Sequence, residues 1–296
     1  MGPVDELATS NDIVDDFEAL RERMRRDGYL LVRGLVDPAL ANDAGREARA
    51  ALCAAGWAPT AAHAPDWNDP GYRGFALSEA VNRLPYEPGP QHLMHLLMGA
   101  GAFVYPLKVP RAVYPDRLNA DHKGRFVHQD YGVIGKQDLF TMWFPLEDIP
   151  LELGPLGIRP GSSREGWAAP RRLGRDAPGW LSTRFEPGDA LVFHCLTWHA
   201  ALPNTTDRMR LSVDVRWQLA DDPAPSRLVY GPGGRHATGG GELLWRLFGH
   251  TAWWRPIPPG VRVVESTSPP VGTPIAASRY VDFPAGQRQP ASRMSH

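Results

Sequence analysis

The spacing of apolar positions changes near residue 100. Before that point the apolar residues recur at helical intervals, and after it they alternate. Ile13, Phe17, Leu20 and Met24 mark one helical face, with Ser10 or Asn11 able to cap it and Gly28 able to stop it. The run YLLVRG (29–34) is compact and apolar and predicts a strand. Asp37-Pro38 then opens a second helix, with an acceptor at the cap and proline in the first turn, running through Ala-rich sequence to Gly56. A third short helix is expected over about 89–98, with His92 and His95 as ordinary helix residues.

From about residue 101 the period is two. The predicted strands are 102–114, 125–130, 139–146, 156–160, 190–196 and 210–219, separated by Gly, Pro and Asp turns. Short strands in that number predict a sandwich or barrel. In the last strand Leu211, Val213, Val215, Trp217 and Leu219 share one face, while Arg210, Ser212, Asp214, Arg216 and Gln218 share the other. Such a polar face is either solvated, as on an open antiparallel sheet, or lines a ligand funnel.

Bulk properties narrow the picture. The chain has 296 residues and a formal charge of −1, so no broad basic field is available for nucleic acid. The acidic N-terminus lacks the apolar core of a signal peptide, and no run of about 18 apolar residues predicts a membrane span. Only Cys53 and Cys195 occur, each read as a small buried apolar residue in a reduced, cytoplasmic protein. Gly and Pro number 30 each, yet aromatic and branched residues persist throughout, which fits many loops between short strands rather than disorder. We read 1–296 as one domain: 1–100 a mainly helical support, 101–219 the β core, and 220–296 an extension with a possible lid and a flexible tail.

Candidate chemistry lies in two segments. His128 and Asp130 are two apart, so an extended strand points both the same way. His199 and Arg210 follow further along the chain. Two imidazoles and one carboxylate form a facial triad suited to Fe(II), although the same donors accept Zn, Co or Ni. The turn Glu186-Pro187-Gly188-Asp189 precedes the apolar strand expected to deliver His199, and Pro203-Asn204 turns the chain back toward Arg210. The planar fork of Arg210 suits a ligand carboxylate, and a salt bridge to Asp214 would equally explain it.

Four stretches carry a resemblance to a known family: GYLLVRGLVD (28–37), VHQDYG (127–132), LFTMWFPLEDIPLELGPLGIRPGSS (139–163) and EPGDALVFHCLTWHAALPNTTDRMR (186–210). In order and spacing, the segment from about 28 to 219 resembles the phytanoyl-CoA dioxygenase family of Fe(II)/2-oxoglutarate oxygenases. The resemblance implies a mainly β fold with flanking helices, built on a double-stranded β-helix (jelly-roll) core. It implies His128, Asp130 and His199 as iron ligands and Arg210 as partner of the 2-oxoglutarate C5 carboxylate. Thr141 and Trp143 would face the cosubstrate, with help from Lys108 or Arg111. Tyr131 and Arg111 would face substrate.

The implied reaction uses Fe(II), 2-oxoglutarate and O2, with the 1-carboxylate and 2-oxo group of the cosubstrate on the metal. It oxidises a small molecule, by hydroxylation or by desaturation, cyclisation or epoxidation. Related halogenases carry a small residue where Asp130 stands, which opens a site for chloride, so Asp130 argues for hydroxylation or one of those variants. The chain departs from the family at Ser163, where His is common, and at Leu153, where Asn is common. These departures bear on substrate more than on chemistry. The Ala-, Arg-, Gly- and Pro-rich composition suggests a bacterial enzyme of specialised metabolism. Arg216 and Arg246 are further cations that could meet an anionic substrate, and Trp245, Phe248, Trp253 and Trp254 are candidates for a lid. Two other functions use the same residues: a cupin-like isomerase or hydrolase without 2-oxoglutarate, and a non-catalytic jelly-roll binding protein.

Overall fold

A computed structural model describes residues 5–58, 70–116, 126–169, 171–172, 179–230, 257–270 and 278–281. The chain opens with β1 (Asp5–Glu6) and a 3-10 turn (Asn11–Ile13), then α1 (Phe17–Asp27), β2 (Tyr29–Val32) and α2 (Pro38–Ala54). Three helices follow: α3 (Pro70–Leu77), α4 (Glu79–Arg83) and α5 (Pro88–Met98). Next come β3 (Ala102–Val104), β4 (Val109–Val113), β5 (Phe126–Val127) and the short helix α6 (Asp130–Ile134). The series β6 (Phe140–Pro145), β7 (Leu156–Ile158), β8 (Arg171–Arg172), β9 (Leu181–Ser182), β10 (Ala190–His194), β11 (His199–Ala201) and β12 (Arg210–Leu219) follows. Beyond it lie β13 (Ala224–Pro225), α7 (Ser226–Tyr230) and β14 (Val263–Val264).

Local chemistry explains most helix ends. The cap of α1 is Asp16, which accepts from the Ala19 amide, rather than Ser10 or Asn11; those residues bound the separate 3-10 turn. Gly28 ends α1 at φ 77°, and a Cβ there would lie 2.8 Å from Thr197 Oγ1. Glycine is required twice at that point, for the left-handed backbone and for the close approach of the loop before β11. Asp37 caps α2 as expected, and Pro38 occupies its first turn. Two helices, α3 and α4, went unpredicted because their apolar residues form no long periodic run.

Two sheets face each other. The larger runs β2-β10-β6-β12-β3, with β4 also paired to β12. The smaller runs β1-β9-β7-β11. The expected strand 102–114 is broken: β4 pairs with the first half of β12 and β3 with the last part. Leu211, Val213, Val215 and Trp217 pack outward against Leu20, Met24, Phe75, Leu93 and other helix residues. The opposite face of the large sheet meets the small sheet, where Tyr29, Leu31, Trp143, Leu191 and Phe193 pack with Leu7, Leu156, Ile158 and Phe185. All the polar residues of β12 from Arg210 to Gln218 are buried, so that face is interior and not solvated.

Cys195 is buried as expected, whereas Cys53 is exposed. The proposed lid residues, Arg246, and the final tail lie outside the described residues. Among the described residues no helix is long and apolar enough to cross a membrane.

One buried group on the helix side predicts a pH response. His194 ends β10 with its ring edge-on to Phe140 at 5.4 Å, and its Nε2 has no partner among the described residues. Burial pushes its pKa down to about 3. The unfolded chain, titrating near 6.5, therefore takes up this proton first. The stability that depends on neutral His194 is complete above about pH 6.5 and is lost as pH falls toward 3. We expect the melting temperature of the metal-free protein to fall between pH 7 and 4.5, and less steeply in His194→Gln. Parallel curves would reject the assignment.

Candidate metal centre

The site forms where two distant segments meet edge to edge. His128, one residue past β5, and His199, the first residue of β11, exchange both backbone hydrogen bonds at 3.1 Å. Their rings lie 4.2 Å apart between centroids. Gln129 is extended (φ −116°, ψ 132°), so His128 and Asp130 project to one side. The Gln129 side chain goes the other way and is tied down. Its Nε2 donates to the carbonyls of Gly166 and Leu196 at 2.7 and 2.6 Å, and its Oε1 accepts from the Ala168 amide at 3.1 Å.

Two local expectations need correction. The strand predicted over 125–130 ends early, and Asp130 is the first residue of α6. His199 does not come from the apolar strand after the Glu186–Asp189 turn. That strand, β10, stops at His194, and residues 195–198 carry the chain across to β11 in the smaller sheet. Thr197 Oγ1 holds this crossing by donating to the Gly28 carbonyl at 2.8 Å, and the Trp198 amide donates to Ser162 Oγ at 2.9 Å.

The donor atoms of His128, Asp130 and His199 all lie within 4.8 Å of one another. Asp130 Oδ1 is 3.9 Å from His128 Nε2 and 3.8 Å from His199 Nε2. Its other oxygen, Oδ2, accepts from Thr141 Oγ1 at 2.5 Å and from Arg216 Nη2 at 3.0 Å. His199 Nδ1 lies 3.0 Å from the Thr197 carbonyl, which fixes the tautomer with a free Nε2. Burial would raise the Asp130 pKa, but Arg216, His199 and His128, with the Thr141 hydrogen bond, hold it well below the usual carboxylate range. Burial, then the neighbouring His128, push the His199 pKa down to about 3. Asp130 is thus anionic and His199 neutral at physiological pH, the forms a divalent metal requires.

The inner face of the large sheet carries the remaining polar groups. Across β6 and β12, Arg216 is opposite Thr141, Asp214 opposite Trp143 and Ser212 opposite Pro145. Arg210 turns along this face. Its Nη1 donates to the Gly154 carbonyl at 2.7 Å, its Nη2 to Ser212 Oγ at 3.2 Å, and its Cζ lies 5.7 Å from the Trp143 ring centroid. Burial lowers its pKa to about 10, which leaves it charged. Asp214 is not its partner. That carboxylate pairs with Arg111, through Nε at 2.8 Å and Nη2 at 2.7 Å, and lies 3.5 Å from Arg216 Nη2. Among the described residues, therefore, Arg210 pairs with no carboxylate and its Nε has no partner.

Other predicted residues divide. Thr141 and Trp143 do lie on the inner face, but Thr141 binds Asp130 and leaves no hydrogen for a cosubstrate. Arg111 lines the same face with 41% of its side chain exposed, although it sits beside buried Asp214. Lys108 turns to the helix side instead, where Nζ donates to the Tyr105 carbonyl at 2.7 Å and stands 5.0 Å from the Tyr86 ring centroid. Tyr131 packs edge-on to Trp167 at 5.9 Å.

The family model for phytanoyl-CoA dioxygenase (PhyH) matches residues 24–212, a span that includes the triad and Arg210. The chain belongs to the phytanoyl-CoA dioxygenase family. Like other PhyH proteins, it is a 2-oxoglutarate-dependent non-haem iron oxygenase. It is 26% identical over 236 residues to 1-deoxypentalenic acid 11-beta-hydroxylase of Streptomyces exfoliatus, covering 70% of this chain and 83% of the relative. Its fold is similar to EctD from S. alaskensis, at TM-score 0.54 and 16% identity over 80% of this chain and 91% of that one. It is also similar to SnoK, a carbocyclase of nogalamycin biosynthesis, at TM-score 0.52 and 20% identity over 71% and 88% of the two chains.

Within this PhyH chain, Ser212, Asp214 and Arg216 are polar neighbours of the site whose places the sequence alone did not give: Ser212 had no role, Asp214 was a possible partner of Arg210, and Arg216 was a cation for an anionic substrate. The signal that could have found them was the strict alternation of β12. Thr141 is testable directly. Outer-sphere partners of metal ligands commonly contribute 10–100-fold in affinity. Thr141→Val should weaken metal binding by about tenfold in a chelator competition and leave folding intact. Unchanged affinity would show that Arg216 alone suffices to hold Asp130.

Proposed function

We propose that this PhyH enzyme hydroxylates a small specialised metabolite, with His128, Asp130 and His199 holding the iron and Arg210 receiving the C5 carboxylate of 2-oxoglutarate. The observation that carries the reading is the pairing of a three-donor cluster, with Asp130 and His199 buried and His128 partly so, with a buried guanidinium that pairs with no carboxylate among the described residues. An isolated charge in a protein interior is strongly unfavourable unless a partner arrives. A dicarboxylate cosubstrate supplies that partner. Thr141 and Trp143 are two residues, about 7 Å, apart along β6. One touches Asp130 and the other lies against Arg210, a separation that an extended five-carbon diacid can span.

Each residue then has a task. The triad presents neutral and anionic donors. Arg210 and Ser212 orient the distal carboxylate, and the Trp143 ring forms a dry wall. When bound, Fe(II) with 2-oxoglutarate supplies the oxidising chemistry. In this reading Arg111, partly exposed on the inner face, meets the substrate together with Tyr131, the residue after Asp130. The hydroxylated compound of the Streptomyces relative is a small acid, 1-deoxypentalenic acid. A small metabolite with an anionic group is therefore our choice for this chain.

Anaerobic protein loaded with Fe(II) should bind 2-oxoglutarate with a weak visible charge-transfer band. His128→Ala should abolish the band, and an unaltered band in that variant would sink the ligand assignment. Arg210→Ala should weaken 2-oxoglutarate by about 10–100-fold, the effect of one charged hydrogen-bonded pair, with metal affinity nearly unchanged. If metal loss dominates instead, Arg210 is structural.

A further inference from the structure

Arg216 is a buried cation with more donors than its partners among the described residues use. It stands in the middle of the inner face and is only 3% exposed. One of its nitrogens, Nη2, serves Asp130 Oδ2 at 3.0 Å and lies 3.5 Å from Asp214. Its other donors, Nε and Nη1, are buried and have no partner among the described residues. The acceptors on either side are committed. Asp214 Oδ2 receives Arg111, and Asp130 Oδ2 receives Thr141. Asp130 Oδ1 faces the two imidazoles.

Holding Asp130 needs only one nitrogen, and a lysine could do that. A planar fork with two further buried donors is suited to a second anionic oxygen. That oxygen must lie next to the triad, because the guanidinium is already in contact with Asp130. The C5 carboxylate is excluded, since Arg210 and Ser212 lie further along β12 beside Trp143.

We propose that Arg216 is a two-ended positioning residue. One end ties back the outer oxygen of Asp130, leaving Oδ1 for the metal, and the other receives the 1-carboxylate of the 2-oxo acid. This inference rests on the proposed iron and 2-oxoglutarate site. Arg210 then sets which diacid fits, while Arg216 acts on any 2-oxo acid.

The test compares two ligands in metal-loaded protein. Fe(II) is supplied above the dissociation constant measured for each variant, and acid affinity is read from the charge-transfer band and by calorimetry. Pyruvate carries the 2-oxo carboxylate and lacks the distal one. Arg216→Gln should weaken 2-oxoglutarate and pyruvate by a similar factor, about 10–100-fold. Arg210→Ala should weaken 2-oxoglutarate alone. Equal binding of both acids by Arg216→Gln and wild type would overturn the proposal, as would a loss confined to 2-oxoglutarate. If Arg216→Gln fails to hold metal, Arg216→Lys decides: weakened binding of both acids supports the second contact, and wild-type binding of both overturns it. Absence of any band in the wild-type protein would instead reject the proposed function itself.

Discussion

Two backbone hydrogen bonds between His128 and His199 join the parts of this molecule that carry its chemistry. They bring together a loop end from the middle of the chain and a strand from the smaller sheet. Because the two residues are directly opposite in an antiparallel pair, both imidazoles emerge on one side. Gln129 then fixes where Asp130 goes by anchoring to three backbone groups on the opposite side. The rest of the inner face is arranged around that point.

That face carries charge in an alternating row, part-exposed Arg111 and then buried Asp214, Arg216 and Asp130. Each carboxylate has a cation beside it, so these charges compensate one another in the interior. Arg210 stands outside the row. It pairs with no carboxylate among the described residues, and in the proposed function a ligand takes that place; the same logic applies to the unused donors of Arg216. Structure and function meet in this bookkeeping of partners: groups already satisfied hold the site, and groups left unsatisfied await what it binds.

Legibility followed local physics. Strand β12 was readable to the residue because ten positions alternate without interruption, and its apolar face packs on the helices as that alternation requires. Helix α2 was readable from Asp37-Pro38. Less was legible where a long-range contact sets a side chain's partner. Thr141 donates to Asp130, from another segment. Lys108 sits beside β4 with Nζ on the Tyr105 carbonyl and near the Tyr86 ring. Arg111 pairs with Asp214 across β4 and β12.

By itself the sequence determined the donor types, their order and the family, because metal chemistry demands particular side chains and the surrounding motifs keep their spacing. It also determined which residues of β12 share a face, since a strand's period is a local property. Only the tertiary structure decided which acid partners which arginine. That choice rests on strand register across β4, β6 and β12, and register places residues far apart in sequence opposite one another. The assignment of Asp214 to Arg111 and Arg216, and the freedom of Arg210, follow from that register and from no property of the segments taken alone.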